Sequence, residues 1–162
     1  MIAGLGNPGK EYALTRHNAG LDFVNFQFLE YSLVPKKENS IHGSYAIKEF
    51  DDFKLIFLKP STYMNESGKC IAKAKKFFNL KTSQILIVHD ELDLPNGNIK
   101  LKKSGGHGGH NGLRNIIDQL QSGFSSDFVI SKSFWLIFLA TCMGLIRLFS
   151  RQIVFGIGRK VE

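Results

Sequence analysis

Cysteine is scarce in this chain: among 162 residues only Cys70 and Cys142 occur, far apart and in no CxxC spacing. That excludes a disulfide framework and a cysteine zinc site, and it fits a reducing compartment. Acidic side chains are outnumbered. Fourteen Asp and Glu stand against 21 Lys and Arg, giving a formal net charge of +7 and a pI near 9.5. So basic a balance in a small domain favours a polyanionic partner, nucleic acid ahead of an anionic membrane surface. Long apolar runs are missing too. Phe134–Ile146 offers 13 uncharged residues between Lys132 and Arg147, short of the roughly 20 that a spanning helix needs. It fits a buried segment, with membrane association as the alternative. There is no internal repeat, no low-complexity tract and no GxSxG elbow around Ser61, Ser67 or Ser104. Met1-Ile2-Ala3-Gly4 runs straight into glycine-rich loop sequence, which predicts no signal peptide.

What is present begins with one dense stretch, HDELDLPNGNIKLKKSGGHGGHN, from His89 to Asn111. An acidic cluster closes the apolar run Ile85–Val88, two alternating lysines follow, and then comes a glycine loop broken by His107, His110 and Asn111. Strand ends deliver acid–base groups to a cleft, and glycines let backbone approach a large polar ligand. The stretch predicts an active site whose substrate carries phosphate. Around it the apolar spacing predicts a short strand at Ile2–Leu5, stopped by the turn Gly6-Asn7-Pro8-Gly9. A helix is predicted from His17 to about Ser32, through Leu21, Val24, Phe28 and Tyr31. Tyr45–Phe50 and Lys54–Leu58 read as strands joined at Asp51-Asp52. A helix over Glu66–Phe78 should turn Ile71, Ala74 and Phe78 inward and Lys69, Lys73 and Lys76 outward. Ile85–Val88 and Asn98–Lys102 read as strands, a third helix as carrying Leu113, Ile116, Ile117 and Leu120, and Ile153–Ile157 as a last strand. Helices alternating with strands predict an α/β sheet covered on both faces. Loops at its strand ends should gather Asn7, His17, Tyr63–Asn65, Asp90 and Asn111 into one cleft.

Each candidate has a plainer reading beside it. His17, where the first helix begins, has the titration range of a general base; histidines at helix starts also contact backbone. Asp90, with His89, Glu91 and Asp93, is its natural carboxylate partner, because a carboxylate on the second ring nitrogen fixes the tautomer. Acidic residues after strands are equally often solvated. Asn7, Asn65 and Asn111 can place water, a carbonyl or an oxyanion without titrating, or can simply make turns. Gly105, Gly106, Gly108 and Gly109 could offer backbone N–H groups to an anion. Lys100 and Lys102 share one face of a strand, as a phosphate clamp or as a guarded edge. With no nucleophile in a suitable setting, water is the expected attacking group. A metal held by His17, His89, Asp90, His107 and His110 has no supporting motif such as HExxH.

Together these segments resemble bacterial-type peptidyl-tRNA hydrolases. The resemblance rests on Gly4-Leu5-Gly6-Asn7-Pro8-Gly9 with Tyr12, and on Thr15-Arg16-His17-Asn18-Ala19-Gly20. Lys59-Pro60-Ser61-Thr62-Tyr63-Met64-Asn65 with Ser67-Gly68, His89–Pro95 and Gly105–Arg114 complete it. It implies a single three-layer α/β domain with a twisted, mixed and largely parallel sheet, helices on both faces, of phosphorylase/hydrolase-like type. It also implies a carboxylic ester hydrolase of translation that frees tRNA from aborted peptides, a cytoplasmic monomer needing no cofactor and no metal. His17 would activate water and Asp90 would hold it. Asn7, Tyr12, Tyr63, Met64, Asn65, Gly109, His110 and Asn111 would contact the peptidyl-tRNA substrate, and Lys100 and Lys102 its tRNA phosphates. The alternative is a catalytically impaired relative that only binds tRNA.

The resemblance covers roughly residues 1–122, with an echo at Gly156-Ile157-Gly158-Arg159. Gly123–Ser150 reads as an atypical apolar insertion within a single 1–162 domain, of which Phe134–Phe149 could serve as a substitute covering helix. Aligned on Gly156-Ile157-Gly158, the family's clamp arginine falls on Val154, with Arg151 as a possible substitute. The family continues beyond the position of Glu162 into a lid-like stretch and a closing helix.

Overall fold

The computed structural model describes residues 1–13, 15–91, 99–102, 106–120 and 127–130. Asp93, Gly105, Phe134–Phe149, Arg151, Val154 and the strand expected at Ile153–Ile157 lie outside the described residues.

The chain runs β1 (Ile2–Gly4), α1 (Ala19–Glu30), β2 (Lys36–Glu38), β3 (Gly43–Glu49), β4 (Lys54–Pro60), α2 (Ser67–Phe77) and β5 (Leu86–Asp90). It continues through β6 (Ile99–Lys102), α3 (Asn111–Leu120) and β7 (Asp127–Ile130). These seven strands form one sheet in the order β2-β3-β4-β1-β5-β7-β6. The middle four, β4, β1, β5 and β7, run parallel, while β2, β3 and β6 add antiparallel edges. The sheet is therefore mixed, with a parallel centre.

Its layers follow from strand alternation, which sends successive side chains to opposite faces. Ile2, Phe57, Leu86 and Val88 meet Phe23, Val24 and Phe28 of α1 on one face. Ala3, Leu58, Ile85 and Ile87 meet Ile71 and Ala74 of α2 and Leu113 and Ile116 of α3 on the other. Phe78 packs against this second cluster, while Lys69, Lys73 and Lys76 stay exposed, as the helical spacing predicts. Cys70 is buried there, and burial pushes its thiol up to about 12, so it is core rather than nucleophile. Among the described residues no helix is long and apolar enough to cross a membrane.

The hairpin β3–β4 turns at Asp51-Asp52 as expected, closed by the Glu49–Lys54 register pair and by Phe50 N–H donating to the Phe53 carbonyl at 2.9 Å. Two strands escape the sequence pattern. β2 reads Lys-Lys-Glu, with no apolar alternation. β7 lies inside the span read as an insertion, yet takes an interior sheet position between β5 and β6.

What places the site is the carboxyl edge of the parallel strands. β1, β4 and β5 all end there, delivering respectively the loop with Asn7, the loop with Tyr63–Asn65, and Asp90 itself. That is where doubly covered parallel sheets open a cleft.

Candidate active site

Asp90 ends β5 with only 1% of its side chain exposed, and two histidines converge on it. His17 Nδ1 lies 3.0 Å from each carboxylate oxygen. His110 Nε2 lies 3.3 Å from Oδ1. The third histidine, His89, uses Nδ1 to donate to the Asp90 backbone carbonyl at 2.7 Å. Burial is the largest single influence on Asp90 and favours its neutral form. The hydrogen bonds from His110 and His17, with their charges, outweigh it and bring the carboxyl down to about 2. Asp90 is thus an anion near neutral pH, and an anion accepts hydrogen bonds without donating any.

That settles the protons on both rings. His17 must carry its proton on Nδ1 to donate to Asp90, leaving the Nε2 lone pair on a side chain that is 55% exposed. An exposed ring nitrogen backed by a buried carboxylate can take a proton from water. His110 is pinned from the other side. Its Nδ1 accepts the backbone N–H groups of Gly112 at 3.1 Å and Leu113 at 3.3 Å, so its proton sits on Nε2 and points at Asp90. These are the orphan donors of the α3 amino terminus, and His110 caps the helix with a ring nitrogen where an Asn or Asp oxygen is usual.

Ligand atoms of His17, Asp90 and His110 lie within 4.8 Å of one another, a spacing that could hold a metal ion. The tautomer argues against it. A metal on His110 Nε2 would push the proton to Nδ1, where two N–H donors already point. Nothing in the donor set calls for a metal to complete it.

The amide side of the cleft hangs on Asn18, which the sequence places only within the predicted first helix and a shared motif. It occupies the N-cap position of α1 but does not cap it. Instead its buried amide grips the backbone of Asn7: Oδ1 accepts the Asn7 N–H at 2.8 Å, and Nδ2 donates to the Asn7 carbonyl at 3.1 Å. The Asn7 side chain in turn accepts the Met64 N–H on Oδ1 at 2.8 Å. Its NH2 group therefore remains as the donor end. Met64 is buried, whereas Asn65 and Tyr63 are exposed, and the Tyr63 ring meets Tyr12 edge-on at 6.3 Å. Contacts thus form two groups, His17 with Asp90, and Asn7 and Tyr12 with the Tyr63–Asn65 loop, and Asn18, next to His17 in the chain, holds Asn7. Asn111, exposed, is the first residue of α3 directly after His110.

On the glycine loop, Gly108 and Gly109 adopt positive φ values of 53° and 83°. The Gly109 N–H is not free for an anion, because it donates to His107 Nδ1 at 3.1 Å. His110, expected at the substrate, has both ring nitrogens engaged within the protein. Lys100 is exposed on β6, level with His89 across β7, which puts it two strand spacings away, about 10 Å. Lys102 lies two residues along the same strand.

Residues 1–128 match the family model described as peptidyl-tRNA hydrolase. The chain is 53% identical over 128 residues to a peptidyl-tRNA hydrolase of Coxiella burnetii, a match spanning 79% of this chain and 65% of the relative. It is 50% identical over 122 residues to one of Dichelobacter nodosus, spanning 75% of this chain and 65% of the relative. The crystal structure of peptidyl-tRNA hydrolase from Acinetobacter baumannii superposes with a TM-score of 0.74 at 43% identity, covering 80% of this chain and 67% of that one. The chain thus spans about 65% of the length of the curated relatives it matches.

Proposed function

Since the chain belongs to the peptidyl-tRNA hydrolase family, we propose that it hydrolyses the ester joining a peptide to the 3′ end of tRNA. The observation that carries this reading is the His17–Asp90 pair at 3.0 Å, with the buried carboxylate behind an exposed ring. His17 Nε2 takes a proton from water as the oxygen attacks the ester carbonyl carbon. Asp90 holds the ring in the Nδ1–H tautomer and stabilises the imidazolium that forms. The NH2 groups of Asn7 and Asn65 donate to the developing oxyanion and to the adjoining peptide. When the bond from carbon to the ribose oxygen breaks, His17 returns its proton to that oxygen, leaving a free peptide acid and a tRNA hydroxyl.

Tyr12, Tyr63 and Met64 shape the pocket for the end of the substrate, and Gly109 and Asn111 border it on the α3 side. Lys100 and Lys102 attract tRNA phosphate, so binding weakens as salt rises and carries little base specificity. The protein works as a metal-independent monomer in the cytoplasm.

Purified protein and an N-blocked aminoacyl-tRNA test this. Release of the blocked amino acid should survive EDTA and fall by about 100-fold or more in His17→Ala, in line with loss of a general base. Loss of turnover with EDTA would return the metal reading. Salt-sensitive tRNA binding with no turnover in the unaltered protein would instead identify a relative that only binds.

A further inference from the structure

His110 has both ring nitrogens engaged inside the protein, an unusual commitment for an imidazole beside a reactive site. Nδ1 accepts from Gly112 and Leu113 at the start of α3, and Nε2 faces Asp90 Oδ1. The ring is 11% exposed and stacks edge-on against His89 at 4.9 Å and against His17 at 6.0 Å. Its backbone is held as well: the His110 N–H donates to the His107 carbonyl at 2.8 Å, and its own carbonyl accepts from Arg114 at 3.0 Å.

We infer that His110 is a positioning residue, a tautomer-locked donor through which the amino terminus of α3 fixes the orientation of Asp90 and hence of the base His17. The inference rests on the ester-hydrolase reading above, but the lock itself does not. Two N–H groups aimed at Nδ1 use that nitrogen as an acceptor, which leaves Nε2 as the donor toward Asp90. An ordinary surface histidine on a carboxylate has no such restraint. Among the described residues, His17 from the turn before α1 also meets the carboxylate, and His89 from β5 serves the Asp90 backbone through Nδ1. His17 Nδ1 lies 3.0 Å from both carboxylate oxygens and so does not itself select a carboxylate rotation, whereas the His110 donor faces Oδ1.

Two substitutions separate the cap from the anchor. In His110→Asn the amide oxygen takes about the place of Nδ1 and keeps the helix cap, since Asn is among the best capping residues. Nothing then replaces Nε2. The expected result is a Tm near that of the unaltered protein and a kcat lower by about 10- to 100-fold, the scale of a misplaced reacting group. KM should hold within about twofold. His110→Ala loses cap and anchor together and should lower Tm as well. Long-range proton–nitrogen NMR on the unaltered protein reads the lock without any turnover, and should find His110 as the Nε2–H tautomer. His110→Asn with unaltered kcat overturns the positioning role, and an Nδ1–H tautomer overturns the lock. A protein that shows the lock but never turns over peptidyl-tRNA instead removes the hydrolase reading.

Discussion

Asp90→Asn is expected to lower turnover of an N-blocked aminoacyl-tRNA by about 10⁴-fold, the cost of presenting a catalytic histidine in the wrong tautomer. The size follows from which way the new amide must face. An amide offers one acceptor oxygen and one NH2 group where the carboxylate offered two acceptors. His110 can only donate, because its other nitrogen is occupied by Gly112 and Leu113. The amide oxygen therefore goes to His110, and the NH2 group is left facing His17 Nδ1, 3.0 Å from the second carboxylate oxygen. Nδ1 must then accept, the His17 proton moves to Nε2, and the lone pair that would take a proton from water is gone.

The same variant reports on acid stability. The Asp90 carboxyl lies at about 2 in the folded protein against an ordinary value of 3.8. A depressed folded value means that the unfolded chain binds the proton first as pH falls. The contribution of Asp90 is therefore complete above about pH 3.8 and is lost as pH drops through about 2. Asp90→Asn should flatten denaturant stability against pH across that window. Turnover within tenfold of the unaltered protein, measured on folded Asp90→Asn, would show that the His17 tautomer does not matter.

Gly20→Ala is expected to cost the fold several kcal/mol. Gly20 opens the first turn of α1 where that helix crosses the end of β1. A methyl there would lie 2.2 Å from the Val88 carbonyl oxygen and 2.5 Å from the Leu5 nitrogen. Those two atoms are themselves partners, Leu5 N–H donating to Val88 at 2.8 Å, so the methyl would intrude on the hydrogen bond that joins the end of β1 to β5. The Leu5 carbonyl accepts Leu21 N–H at 3.0 Å, so the start of α1 is stitched to the same residue. All of these listening points are backbone, with no flexible side chain able to move aside. Overpacking costs about 1–3 kcal/mol, and an unsatisfied buried backbone group costs about 1–3 kcal/mol more. Against a typical stability of 5–15 kcal/mol, about 2–6 kcal/mol threatens the native state. Gly106→Ala is the matched control, with nothing among the described residues within 4 Å of the added methyl, and should be near neutral. Urea unfolding of the two variants decides the point; equal midpoints would mean that α1 can shift without loss.

Much of this architecture is written locally in the chain. The Leu21–Val24–Phe28 spacing, the Asp51-Asp52 turn and the apolar run before Asp90 each announce their element, because burial of one face imposes a period. β2 could not be read that way. Lys36, Lys37 and Glu38 are a polar edge paired to β3 on one side, and pairing of backbone leaves no trace in side-chain pattern. β7 was hidden for the opposite reason, since Asp127–Ile130 opens into a long apolar stretch with no period to mark a strand. In the site, His17 and Asp90 were legible because histidine and a strand-end carboxylate are a recognisable pair. Asn18 was not, because it falls inside the helix predicted from His17 to about Ser32, and only the fold shows it turned to Asn7. His110 was visible as a titratable group, yet its partners sit 20 residues upstream and in the next helix turn.

The position of β7 also bears on how the molecule is made. β5 precedes β6 in the chain, but β7 lies between them in the sheet, and among the described strands β6 pairs with β7 alone. A nascent chain emerging from the ribosome could therefore assemble β2-β3-β4-β1-β5 with α1 and α2, and with them His17 beside Asp90, while Lys100 had no strand to join. Only when Asp127–Ile130 clears the exit tunnel can β6 be seated. At about 5–20 residues per second, His17 and Asp90 would be assembled seconds before the lysine-bearing strand β6 finds its partner.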